Sequence, residues 1–241
     1  YPIEVIAAPR PEEIGSGDAL DLASAITMTG ASVAQNILGL SGAGIRVGII
    51  DSGIDIDHPA LGGGGFPGAT VFPSARVVAG YDFVGDAFTG ANTPLPDTNP
   101  DDCDGHGTHV AGIVGANSAT MKGVAPNVLL GAYRVFGCTG STTADVMIAA
   151  MEMALADGMQ VVNQSIGSRA QWPQYPTAQA STRMVNKGMV MVASIGNNGP
   201  GGSEPDGLFA AGAPGVGSKV VGVASFDNSQ RSFTVNGTPY G

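Results

Sequence analysis

Apolar residues recur along this chain in two rhythms. Short unbroken runs rich in Val, Ile and Ala alternate with longer stretches in which apolar positions return every three or four residues. The runs 45–50, 76–83, 128–135, 160–164, 189–194 and 219–224 have the length and continuity of strands buried on both faces. Between them, 105–117, 142–156 and 177–187 carry helical spacing. In 142–156 the apolar face is Val146, Met147, Ala150, Met151, Ala154 and Leu155, with Ser141 or Thr142 as the cap. Its methionines read as core packing. Strand and helix alternate, which predicts an α/β fold: a doubly wound, mostly parallel sheet with helices on both faces. Residues 1–41, Pro-rich at first and then polar and Ala-rich, read as an arm or a propeptide remnant.

Composition narrows the class. The chain has 241 residues, enough for one α/β domain, and 38 of them are glycine. Charged residues make up only 12%, against about 25% in an average domain, so this is a compact chain rich in small residues. A net charge of −10 argues against nucleic acid or an anionic membrane as partner. No apolar run approaches the roughly 20 residues that cross a bilayer. The sequence opens at Tyr1 with no methionine and no signal-peptide pattern, which is the expectation for a processed secreted precursor and equally for a piece expressed by itself.

Candidate chemistry gathers at two places. The apolar run 45–50 breaks at Asp51-Ser52-Gly53, which sets a carboxylate at the carboxyl end of a buried strand, where open parallel sheets bind ligands. Further on, Asp104-Gly105 precedes His106 in the first turn of a helix, with Asp104-Gly105 as the capping pair. A carboxylate and an imidazole so placed suit acid–base work around neutrality, because the ordinary imidazole pKa is about 6.5. Other readings exist for each alone. An Asp after a strand is commonly a turn residue, and His106 with His109 is a satisfied pair or half of a metal site. A metallohydrolase would need the glutamate of His-Glu-x-x-His, where Gly107 stands.

The remaining polar features weigh less. Gly62-Gly63-Gly64-Gly65 lacks a following Gly-Lys-Ser or Gly-Lys-Thr, so it is a loop and a poor phosphate cradle. Asp97, Asp101, Asp102 and Asp104 read as a solvated acidic rim beside His106. His58 reads as a turn residue and His109 as structural. Cys103 and Cys138 either pair or remain two buried thiols. A nucleophilic Cys103 would need its base from its own turn.

Together the segments Asp51-Ser52-Gly53-Ile54-Asp55, Gly105-His106-Gly107-Thr108-His109-Val110-Ala111-Gly112, Gly123-Val124-Ala125-Pro126, Val162-Asn163-Gln164-Ser165-Ile166-Gly167 and Val192-Ala193-Ser194-Ile195-Gly196-Asn197-Asn198-Gly199 resemble, in order, the subtilisin-like serine proteases. The similarity covers about residues 42–226. It implies a secreted endopeptidase acting on proteins or peptides, with Asp51 and His106 as two members of the triad. It also implies Asn197 as the oxyanion donor, Asn198 being the adjacent competitor that the register disfavours. Substrate would lie as a strand between Gly140-Ser141-Thr142 and Ser165-Ile166-Gly167. Ser194, Ile195 and Gly196 would wall an uncharged primary pocket suited to an apolar or medium-sized residue.

One part of the family pattern does not occur in the 241 residues. Gly107-Thr108-His109 and Gly237-Thr238-Pro239 are the nearest approaches to the nucleophile motif Gly-Thr-Ser-Met-Ala, and both lack the serine. The expectation is therefore that residues 42–226 are the N-terminal part of a catalytic domain. The tail 227–241, with a glycosylation candidate at Asn236, would lead toward a missing segment or pair with a second polypeptide that supplies the serine. The tail and the cysteine contexts resemble the secreted branch that carries a protease-associated domain insert. No metal or other cofactor is expected: the aspartate that follows His-Pro in calcium-binding relatives is Ala60 here, which leaves only weak calcium binding by other carboxylates. The alternative is a noncatalytic peptide-binding fragment or pseudoenzyme on the same scaffold.

Overall fold

The computed structural model describes residues 22–197, 210–225, 233–235 and 238–240. Six parallel strands form the sheet: β1 (Arg46–Asp51), β2 (Val77–Asp82), β3 (Leu129–Arg134), β4 (Val161–Gln164), β5 (Val190–Ser194) and β6 (Val221–Val223), in the order β2-β3-β1-β4-β5-β6. Each predicted strand is present; β1 is shifted by one residue, losing Ile45 and taking in Asp51 as its last member, and the others are trimmed by one to a few residues. Lys219 and Val220, expected in the last strand, belong instead to a turn in which Val220 N donates to Gly217 O at 3.0 Å. Phe233–Val235 and Thr238–Tyr240 form a separate antiparallel pair, β7 and β8. Residues 1–21 of the expected arm, 227–232 of the expected tail, and Asn198, Gly199, Asn236 and Gly237 lie outside the described residues.

Helices cover both faces, because β1 is apolar on both. Val47 and Ile49 pack with Val110 and Ala111 of α3 (His106–Gly115). Ile50 points the other way, into a cluster with Met147, Ala150 and Met151 of α4 (Ala144–Ala156) and Ala180 and Met184 of α5 (Pro176–Asn186). The α4 methionines Met147 and Met151 are fully buried. Two short helices, Leu22–Met28 and Ala31–Asn36, occupy part of the segment read as an arm.

Helix ends differ from the sequence expectation. The N-cap of α3 is Gly105, in the left-handed region at φ 101°, a conformation that side chains avoid; the Asp104 carboxylate accepts from His106 N instead of capping from the N-cap position. The helix stops at Gly115, not residue 117, because Ala116 O accepts from Gly123 N at 2.8 Å and Asn117 bridges to Lys122. The cap of α4 is Thr143, with no side-chain hydrogen bond; Ser141 is held elsewhere and Thr142 is buried.

Candidate active site

Register brings three ionisable residues into one row at the carboxyl edge of the sheet. Arg134, the last residue of β3, lies opposite Asp51 of β1 on one side and Asp82 of β2 on the other. Chain segments leaving β1, β3, β4 and β5 all emerge along this edge, and β1 is flanked by β3 and β4. The segments 140–142 and 165–167 therefore leave the sheet on opposite sides of Asp51.

Asp51 is 1% exposed, and its Oδ1 lies 2.6 Å from His106 Nδ1 while accepting from Ser52 N at 2.8 Å. Oδ2 has no partner among the described residues. The His106 side chain keeps 22% exposure, so its ring is held by Asp51 on the Nδ1 side and reaches solvent elsewhere. The hydrogen bond to Asp51 raises the His106 pKa above the ordinary value, partial burial opposes it, and the charges of Asp51, Asp104 and Asp102 add to the rise. Burial pushes the Asp51 carboxyl upward, against the lowering pull of His106 and the Ser52 amide. The contact with Asp51 occupies the Nδ1 side of the ring only.

Backbone approach sets this distance. Gly107 has no room for a Cβ: one built there would collide with the Gly53 carbonyl oxygen and sit 3.1 Å from Asp51 Cβ. Gly53, at φ 115°, is equally tight against the Pro100 carbonyl oxygen. The first turn of α3 and the turn after β1 therefore meet backbone to backbone.

The acidic loop is only in part the solvated rim that the sequence suggests: Asp97 and Asp104 are exposed, whereas Asp101 and Asp102 are half-buried. Asp102 is half-buried and accepts five hydrogen bonds, and Asp101 accepts from Ile56 N at 3.3 Å. Asp97 accepts from Asn99 N at 2.7 Å. These carboxylates are spent on ordering the loop. Arg134, 3% exposed, pairs with Asp82 at 3.2 Å and Asp86 at 2.8 Å, and donates to the carbonyls of Asp101 and Phe136. Sequence reading gave no separate role to Arg134, Ser52 or Thr108 and placed Asp102 in the solvated rim; a lone basic residue at a strand end opposite two acidic turns is the available signal for the first.

Cys103 and Cys138 form a disulfide, which removes the free-thiol alternative. Arg134 Nη2 donates to Cys103 Sγ at 2.9 Å. Asp86 and these two sulfurs are the one grouping of three metal-type ligands among the described residues. It does not fit a cation, since the sulfurs are bonded to each other and a guanidinium rests against them. His109 is exposed and joins no such group, and His58 Nδ1 accepts from Ala60 N at 3.2 Å in the short turn Pro59–Leu61.

The other candidate residues occupy the same edge. Ser141 N and Oγ both donate to Thr89 O at 3.1 Å, so this expected edge is already half paired. Gly140 packs against Thr89, and the Thr142 hydroxyl is buried without a partner among the described residues. Ser165 Oγ accepts from Asn163 Nδ2 at 2.9 Å, Ile166 is buried, and Gly167 packs against the Ala213 carbonyl, beside the Ser168–Ala213 bridge. Ser194 ends β5 with a buried hydroxyl that has no partner among the described residues. Ile195 is fixed by Val223 O and Gly212 N, Gly196 turns the chain at φ 106°, and Asn197 is exposed.

Comparison with known proteins gives consistent matches. A model described as the subtilase family matches residues 42–240. Minor extracellular protease Vpr of Bacillus subtilis (strain 168) is 39% identical over 188 residues, 78% of this chain and 21% of that protein. Subtilisin DY of Bacillus licheniformis is 36% identical over 197 residues, 80% of this chain and 60% of that protein. Subtilisin E of Bacillus subtilis (strain 168) is 34% identical over 205 residues, 83% of this chain and 46% of that protein. The chain spans 21% to 60% of the length of these relatives.

Proposed function

Since the chain belongs to the subtilase family, we propose that it is the Asp/His-bearing part of a secreted serine endopeptidase. Residues 42–226 form the N-terminal part of the catalytic domain, 1–41 precede it, and 227–241 lead toward the segment or second polypeptide that brings the serine. The observation that carries this reading is the 2.6 Å contact between His106 Nδ1 and Asp51 Oδ1 at the carboxyl edge of the sheet.

In the proposed reaction His106 Nε2 takes the proton from the serine hydroxyl as its oxygen attacks the peptide carbonyl, and returns it to the leaving amine. Asp51 holds the tautomer with the proton on Nδ1 and stabilises the imidazolium. Asn197 donates to the developing oxyanion. The substrate pairs with free backbone groups of Gly140 and Thr142 on one side and Ser165 to Gly167 on the other, Ser141 being engaged by Thr89. Ser194, Ile195 and Gly196 carry no charge, which favours an apolar or medium-sized residue before the scissile bond. Secretion is supported by the disulfide, which persists in oxidising compartments, and by the extracellular relative.

A serine-directed fluorophosphonate on the purified protein, read on a denaturing gel, tests this. Label on a band that His106→Ala abolishes supports the triad, and a band of another size identifies a second polypeptide as the serine donor. No label on any band, with no peptide hydrolysis, refutes the protease reading in favour of a noncatalytic peptide binder.

A further inference from the structure

The most heavily bonded side chain near His106 is one that the triad does not use. Asp102 Oδ1 accepts from Ser52 Oγ at 3.0 Å, Asp104 N at 2.9 Å and Gly105 N at 3.0 Å. Its Oδ2 accepts from Thr108 N at 3.0 Å and Thr108 Oγ1 at 2.6 Å. One carboxylate therefore grips the turn after β1, the loop before α3 and the first turn of α3 at once.

The polarity of these bonds matters. Because the Ser52 hydroxyl gives its one proton to Asp102, its lone pair is aimed at Gly107 N, which donates to it at 2.8 Å. Ser52 N in turn donates to Asp51 Oδ1. The Thr108 hydroxyl likewise gives its proton to Asp102 and accepts from Asp55 N at 2.8 Å. His106 sits between Gly105 on one side and Gly107 and Thr108 on the other, three residues whose amides all end on Asp102 directly or through Ser52. These are the donors that a helix start leaves orphaned, and an anion is favoured there.

We propose that Asp102 is a positioning residue that fixes the His106 ring against Asp51, acting through Ser52 and the first turn of α3. The proposal rests on the protease reading for its kinetic consequence, and on the hydrogen-bond geometry alone for its effect on the imidazole. The charged groups facing His106 are Asp51 at the end of β1 and Asp104 and Asp102 in the loop before α3. Removing the Asp102 charge lowers the imidazole pKa in two ways: one nearby anion is lost, and the contact with Asp51 loosens.

The test is Asp102→Asn, which keeps the shape but presents an amide donor to the Thr108 N–H and O–H or to the Ser52 hydroxyl. The three histidines are followed by NMR titration of the intact protein, and peptide hydrolysis is measured across pH. The expected result is a lower His106 pKa with His58 and His109 unmoved, and kcat reduced about 10- to 100-fold at unchanged KM, the scale of a misplacement near 1 Å. Unchanged His106 titration and kcat overturn the proposal, and so does a common shift of all three histidines, which marks a merely structural role. Should Asp102→Asn fail to fold, Ser52→Ala decides: it keeps the Asp102 charge and breaks the link to Gly107, and a parental kcat there overturns the proposal. A shifted His106 in a protein that hydrolyses no peptide upholds the positioning role and rejects the protease reading.

Discussion

Removing the disulfide should destabilise the protein by an amount that can be worked from its place in the chain. Cys103 and Cys138 close a loop of sequence separation 35. Loop-closure entropy for that length is about 13 cal/mol/K, or about 3.8 kcal/mol at 25 °C. The bond also supports a buried cation, since Arg134 Nη2 donates to Cys103 Sγ. A domain of this size loses about 2–4 °C in Tm per kcal/mol, so the Cys103→Ser/Cys138→Ser variant is expected to melt about 8–15 °C below the parent. The assay is thermal unfolding followed by circular dichroism, with hydrogen exchange to locate the loss. Exchange should quicken first in 101–105, where the disulfide meets the loop before α3, and little in β4 and β5. A Tm within about 2 °C of the oxidised parent would refute the reasoning, because it would mean that the acidic loop and the exit of β3 hold together without the bond.

Three further outcomes follow from the site. Gly107→Ala should cost about 1–3 kcal/mol by overpacking against Gly53 and Asp51, and reduce kcat about 100-fold by shifting the start of α3, measured by thermal unfolding and steady-state hydrolysis. Because the folded His106 pKa is raised, its stabilising contribution is complete below the ordinary value of 6.5 and is lost as pH rises through the folded pKa, while the base catalysis of the proposed mechanism would grow over that same interval. Stability and kcat/KM measured from pH 5 to 9 should therefore run in opposite directions there, and His106→Gln should flatten the stability slope. Arg134→Met should destabilise by about 3–5 kcal/mol in denaturant titration, since it leaves Asp82, 1% exposed, without its cation; Arg134→Met with Asp82→Asn should recover part of that loss.

Much of this architecture is legible in the sequence because strands buried on both faces need unbroken apolar runs, and the run 45–50 ends so sharply that Asp51 is assigned to the sheet edge at once. His106 is equally plain, at the start of a helix-spaced segment. Asp102 and Arg134 are not. An acidic loop looks the same whether its carboxylates face water or accept backbone amides, as Asp102 does, and Arg134 is set between Asp51 and Asp82 by a strand register that the sequence does not display. The helix starts were misplaced for a related reason. Cap propensity favours Asp104 and Ser141, but the left-handed φ of Gly105 and the capture of Ser141 by Thr89 override it. Leu22–Met28 and Ala31–Asn36, at 7 and 6 residues, are too short for a periodic apolar face to stand out from the chain around them.

The strand order has a consequence for how the site comes into being. No neighbouring pair in the six-stranded sheet is joined by a hairpin, and β1, made first, is completed by β3 and β4, which are synthesised much later. Until both arrive, the Asp51 carboxylate remains in water, where its contact with His106 has little strength. A nascent chain that ends before β4 thus holds both residues of the pair but not the dry environment that couples them, so the Asp51–His106 contact gains its strength only when the centre of the sheet closes.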